Sequence, residues 1–266
     1  MPIEKSLTEL LRGLAEKYET EGFLTGDPSW FMHQVQNDVN QEVTAFVASA
    51  LSYGNRKLFM PKIAQLLEWA GGDASRSDFR NADMSEWVRS GAFEACIPDD
   101  SVCFYRLYSN AIMRQFLRAL QEMLQEYGSI KTFIATRFKC ENRTKGSAIE
   151  AIEALTEWFR EHGSTGVVPK DSKSSCKRLA MFLRWMVRTN SPVDLGLWAD
   201  IVDKRSLIVP MDTHVVQEAN RLGLSSSKST SMSAALKLTD ALREIWPNDP
   251  LRGDFALFGL GINEND

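Results

Sequence analysis

The stretch IVPMDTHVVQEANRLGL, residues 208–224, carries the pattern on which the reading of this chain turns. Asp212 stands two residues after Pro210, at the head of a helix predicted over about 212–222. An N-cap needs only a short polar acceptor, and by position alone Asp212 meets that requirement. A chemical role needs partners, which must come from elsewhere in the chain.

Outward from this turn, apolar residues recur at three- and four-residue spacing almost everywhere. Further helices are predicted over about 4–19, 38–53, 57–70, 103–126, 129–138, 146–162, 175–189, 231–245 and 253–260. Gly26-Asp27-Pro28, Gly71-Gly72, Pro98-Asp99-Asp100, Gly163 to Pro169, Ser191-Pro192 and Pro247 to Pro250 separate them. No alternating strand pattern stands out, so the expected fold is all-α. Asp73 to Asp100 mixes Ser, Arg, Asp and Gly and is expected to be a loop-rich insertion with one short helix. Trp158, Trp185, Trp198 and Trp246 sit in apolar patterns and are expected in the core.

The 266 residues are 44% hydrophobic and 25% charged, enough for one large domain or two lobes. The N-terminus, MPIEKSLTELLRGLAEKYETEG, has no uninterrupted apolar segment of the secretory kind, which implies a cytoplasmic protein. The most apolar run, Leu179 to Val187, contains Arg184, so no membrane span is expected. Cys96, Cys103, Cys140 and Cys176 lack zinc or iron–sulfur spacing and read as reduced thiols. Asp212 and His214 are too few ligands for a metal site, and no metal or cofactor is expected.

The net charge of −4 hides a local excess. Lys170, Lys173, Lys177, Arg178, Arg184 and Arg188 stand against Asp171 alone, which reads as a phosphate-facing patch. Ser174 and Ser175 precede the helix in this run, and a serine hydroxyl is expected to cap it, leaving Lys177 in its first turn. The positive end of the helix dipole opposes a cation there, which favours a neutral, nucleophilic amine.

The run ValProMetAspThrHisVal resembles the Val-Pro-Val-Asp-x-His-Val signature of the helix-hairpin-helix DNA glycosylases. AlaPheValAlaSerAlaLeuSerTyrGlyAsnArgLysLeuPhe, residues 45–59, is similar to the helix and Asn-bearing loop those enzymes push into the duplex. With LysArgLeuAlaMetPheLeuArgTrpMetValArg and AspPheAlaLeuPheGlyLeuGly, the chain resembles a bacterial family of formerly unknown function. That family's relatives are the archaeal 8-oxoguanine DNA glycosylases. The usual Leu-Pro-Gly-Val-Gly hairpin is replaced by LysAspSerLysSerSerCys, so the hairpin is atypical.

The resemblance implies a two-lobed fold, with a central lobe over 36–190 and a second lobe of 1–35 plus 191–266. Lys177 would close one lobe and Asp212 open the other. It implies base excision from damaged double-stranded DNA by a nucleoid-associated monomer. Asp212 would stabilise the cationic sugar, and Lys177 would attack it to give a Schiff base, with Lys173 the other candidate. Asp254 and Phe258 share a helix face and would bind the flipped base, oxidised purine and 8-oxoguanine above others. Asn55 would fill the gap with Arg56 near the opposite strand, while Lys173, Arg178 and His214 would hold phosphates. By residue pattern alone, Asn55 could equally be a helix C-cap, and Asp254 and Phe258 parts of a core helix. Two other readings stay open: a monofunctional glycosylase for another lesion, and a non-catalytic helical protein that binds DNA or a protein partner.

Overall fold

A computed structural model describes residues 3–138, 144–164 and 166–263. It is 60% helical, and the only sheet among the described residues is one two-stranded hairpin. The first five helices are α1 (Lys5–Tyr18), α2 (Asp38–Leu51), α3 (Arg56–Trp69), α4 (Met84–Arg89) and α5 (Phe93–Cys96). Strands β1 (Cys103–Tyr105) and β2 (Tyr108–Ser109) follow, then α6 (Asn110–Tyr127), α7 (Ile130–Arg137) and α8 (Ala148–Glu161). The chain continues with α9 (Lys177–Val187), α10 (Thr213–Arg221), α11 (Met232–Ile245) and α12 (Arg252–Asn263).

Each predicted helix is present, but one starts late. Residues 103–109 form the antiparallel β1–β2 hairpin instead of the first turns of a helix. Phe104, Tyr105 and Tyr108 are all buried, and aromatic side chains favour extended backbone. Arg106 turns the chain at φ +51°, and Ser109 then caps α6, its hydroxyl accepting from Ile112 N at 3.3 Å. The insertion holds two short helices, α4 and α5, where one was expected. Cys96, Cys103 and Cys176 form no disulfide, and Cys140 lies outside the described residues.

The chain divides into two compact units, one of residues 1–25, 140–152 and 172–266, the other of 26–139 and 153–171. In the second unit Phe46, Phe116 and Phe159 stack with ring centroids 5.4, 5.5 and 5.9 Å apart. Buried Asn40 ties the insertion to α2: its Nδ2 donates to Ala82 O at 2.7 Å and its Oδ1 accepts from Met84 N at 2.9 Å. Buried Glu42 accepts from Ile130 N and Lys131 N at 2.8 and 2.9 Å. A carboxylate thus sits at the positive end of α7, where the helix dipole favours it.

In the first unit α1 packs on α12, and Gly259 leaves room for the Tyr18 ring, which a side chain there would meet. Phe182 of α9 meets Trp198 edge-on at 5.1 Å. Trp158, Trp185, Trp198 and Trp246 are all buried, as their apolar surroundings implied. Two backbone pairings knit this unit together: Gly146 with residues 201 and 203, and Lys173 and Ser175 with residues 230 and 232. The second pairing holds residues 173–175 against the start of α11. These contacts group α9 with the C-terminal helices, whereas the lobes expected from the sequence split them at residue 190.

Candidate functional site

The approach to Asp212 is buried from Leu207 to Met211, and Val209 N donates to the Thr239 hydroxyl at 3.0 Å. The chain emerges at Asp212 in extended backbone, φ −125° and ψ −173°. Its Oδ1 accepts from Val215 N at 2.9 Å, so it is the N-cap of α10. Its Oδ2 lies 2.6 Å from Lys177 Nζ, so one carboxylate caps a helix and pairs with a lysine 35 residues away.

Lys177 is the first residue of α9, and the N-cap is Cys176 at φ +47°, which makes no side-chain capping bond. Neither serine caps the helix, contrary to the expectation. Ser175 is held by its own N–H on Thr230 O at 2.9 Å, and its buried hydroxyl donates to Met211 O at 3.0 Å. The segment before Lys177 is thereby fastened to the residue before Asp212, which positions the pair. Lys177 and Asp212 side chains stay 40% and 31% exposed, within reach of solvent. Burial alone would push the Asp212 carboxyl up. The Lys177 charge and hydrogen bond, the Val215 N–H and His214 outweigh it and hold the carboxyl below the usual range.

Lys177, Arg184 and Arg188 lie seven and four residues apart, on one face of α9. Each meets acid. Arg184 donates from Nη1 to Asp254 and from Nε to Asp194, the latter at 3.3 Å. Arg188 reaches Asp194 at 2.5 Å, Glu19 at 2.7 Å and Asp249 at 2.9 and 3.0 Å. Both guanidiniums also lie over the Phe255 ring, at 4.7 and 5.3 Å. Burial pushes the Asp254 and Asp194 carboxyls up, against the pull of the arginines. Burial works against the Arg188 cation, but Asp249, Asp194 and Glu19 hold it firmly protonated.

Arg184 and Arg188 therefore do not belong to a phosphate-facing patch. The acids that neutralise them come from three separate regions of the chain, around residues 19, 194 and 249–254. Removing one partner of such a cluster leaves buried charge uncompensated. Arg188→Met is expected to cost about 3–5 kcal/mol of stability, a drop in melting temperature of roughly 10 °C. A melting temperature within about 2 °C of wild type would mean the cluster contributes little net stability.

The other predicted residues fall as follows. Asp254, one helical turn before Phe258 in α12, is bonded by Arg184. Phe258 is half-buried against Phe23 at 4.8 Å and Tyr18 at 6.4 Å. Lys173 and His214 are exposed and Arg178 half-buried. In the second unit Asn55 is the N-cap of α3, its Oδ1 accepting from Lys57 N at 2.9 Å, so it is not a C-cap. Arg56, exposed, pairs with Asp27 at 3.5 Å. Sequence reasoning missed Asp194, Glu19 and Asp249 and gave Ser175 the wrong role. The seven-and-four spacing of α9's cations was the one available signal for the cluster.

A family model described as protein of unknown function (DUF2400) matches residues 27–263. The chain belongs to this family. No curated protein and no solved structure matches it. The match takes in Lys177 and Asp212 and every member of the DUF2400 chain's ion cluster except Glu19. A cavity of about 300 Å³ is lined by Lys145, Thr189, Lys204, Arg205 and Asn248 at the C-terminal end of α9, the end opposite Lys177. Among the described residues no group of three or more His, Cys, Asp or Glu could hold a metal ion, and no helix is long and apolar enough to cross a membrane.

Proposed function

We propose that this protein is a DNA base-excision glycosylase with AP-lyase activity, built on a helix-hairpin-helix glycosylase-like fold with an atypical hairpin. Its substrate is double-stranded DNA with a damaged base, 8-oxoguanine foremost, met by a monomer on the nucleoid. The observation that supports this is the contact of Lys177 Nζ with Asp212 Oδ2 at 2.6 Å, on side chains that solvent can reach.

An N-glycosidic bond breaks with positive charge developing on the sugar, and a fixed carboxylate beside it lowers that cost. Asp212 is ionised at neutral pH and oriented by the Val215 N–H. The Lys177 ammonium gives its proton to water, and the neutral amine attacks C1′ while the Asp212 carboxylate stays charged. As the C1′–N bond forms, the bond from C1′ to the base breaks and the base leaves with the bonding pair, taking up a proton. The sugar ring opens to a Schiff base, whose acidified C2′ proton permits elimination of the 3′ phosphate.

Arg184 takes one oxygen of Asp254, which orients the carboxylate. Asp254 accepts from the flipped base's ring N–H while Phe258 supplies a stacking face. Lys173, Arg178 and His214 contact phosphates. The protein needs no cofactor in this scheme. The ion pair also favours a second reading, because Asp212 is fully employed as cap and counter-ion: a non-catalytic helical module would keep the same contacts.

The test is to incubate the protein with duplexes carrying single lesions, add borohydride, and look for a covalent adduct. Trapping with base release is the expected result, strongest with 8-oxoguanine. Base release without an adduct would mean water is the nucleophile, making the enzyme monofunctional. If no lesion yields either, while binding persists with steep salt dependence, the non-catalytic reading stands.

A further inference from the structure

The β1–β2 hairpin ends in a two-residue turn, Arg106 and Leu107, whose construction runs against burial and backbone preference. Leu107 is 74% exposed, the highest value for a large hydrophobic side chain among the described residues. Arg106 sits at φ +51°, a left-handed conformation disfavoured for any residue with a Cβ. Strain and exposure of this kind persist only where surrounding structure enforces them.

That enforcement is visible. Phe104, Tyr105 and Tyr108 anchor the strands in the core. The Tyr105 hydroxyl donates to Tyr53 O, and the Arg106 guanidinium lies over the Tyr53 ring at 5.0 Å. Gly54, at φ +86°, makes this possible, because a side chain there would occupy the space the guanidinium fills. The hairpin tip is thus a rigid projection clamped to residues 53 and 54.

Around it the surface is apolar and basic. Tyr53 and Leu58 are 41% and 55% exposed, with Asn55, Arg56 and Lys57 exposed between them. Lys62 lies over Phe104 at 4.9 Å. Glu68, further along α3, is exposed, while the acids nearer the hairpin are engaged. Asp27 pairs with Arg56, Asp99 lies 3.9 Å from Arg118, and Asp100 accepts from Val102 N and Asn110 Nδ2 at the hairpin's base. An apolar wedge among cations suits the base stack of duplex DNA, where the wedge fills a gap and the cations meet phosphate.

We infer that Leu107 is the side chain that inserts between base steps of duplex DNA, with the Arg106 charge held beside it. This rests on the DNA reading above. It moves the wedge from Asn55, whose side-chain oxygen is committed to the α3 N-cap, to a residue that no hydrogen bond constrains.

The experiment uses the full chain and a duplex carrying an abasic-site analogue beside 2-aminopurine, whose fluorescence rises on unstacking. Wild-type protein is expected to bind and raise the fluorescence. Leu107→Ala should bind within about threefold, because the phosphate contacts remain, yet lose at least about half of the rise. Asn55→Ser, which keeps a capping oxygen, should retain it. Binding with a rise untouched by Leu107→Ala, or lost only in Asn55→Ser, overturns this inference and leaves the DNA reading standing. No duplex binding by wild type overturns both. Self-association that Leu107→Asp abolishes, with duplex unstacking intact, would assign the tip to a second copy of the chain and overturn the wedge.

Discussion

Lys177→Gln is expected to abolish borohydride trapping on lesion-bearing duplex, while Lys173→Gln leaves trapping intact. Only a primary amine can form the Schiff base that borohydride reduces, and Lys177 is the lysine whose Nζ lies on Asp212. Glutamine is an informative replacement because its amide can still donate to Asp212 Oδ2, which limits collateral change. The pair is partly exposed, and ion pairs in such positions contribute only about 0–1 kcal/mol, so unfolding will not mimic a lost nucleophile. Slow base release through water can survive in the variant. Trapping that persists in Lys177→Gln and disappears in Lys173→Gln would transfer the nucleophile to Lys173, which is exposed and holds Met232 N by its backbone carbonyl.

The helices were legible because periodicity reports burial, and burial is what makes these segments helical. Residues 103–109 were not, because CysPheTyrArgLeuTyrSer is too short to show alternation, and its turn depends on one arginine in left-handed backbone. Asp212 was legible as a cap, since a helix start after proline leaves few alternatives, whereas its pairing with Lys177 was implied only by the family resemblance. Arg184 and Arg188 misled. A run of cations ordinarily marks a solvated face. Here the face is buried against Glu19, Asp194, Asp249 and Asp254, which come from three separate regions of the chain and meet the arginines only once folded. Ser175 was misplaced for a subtler reason: its position before a helix suits a cap, but its backbone pairing with Thr230 turns the hydroxyl toward Met211.

Asp212→Asn separates the two duties of one side chain. Asparagine caps about as well as aspartate, so the Val215 N–H keeps its acceptor and α10 its start. What disappears is the charge opposite Lys177. Base excision is expected to fall roughly 10²–10³-fold, the loss that follows removal of one fixed electrostatic stabiliser from a transition state. Stability should change far less, and its pH dependence identifies the cause. The folded-state pKa of Asp212 is depressed, so its contribution is complete above the unfolded value and is lost as pH falls through the folded one. The wild-type advantage in melting temperature should therefore hold from neutral pH down to the ordinary aspartate value of 3.8 and vanish only in more acid solution. A variant that excises at the wild-type rate would reduce Asp212 to a cap with a counter-ion. One that melts far below wild type at pH 7 would mean the Lys177 contact is structural first, and the excision loss could then be assigned to chemistry only after assay at a temperature where both proteins are folded.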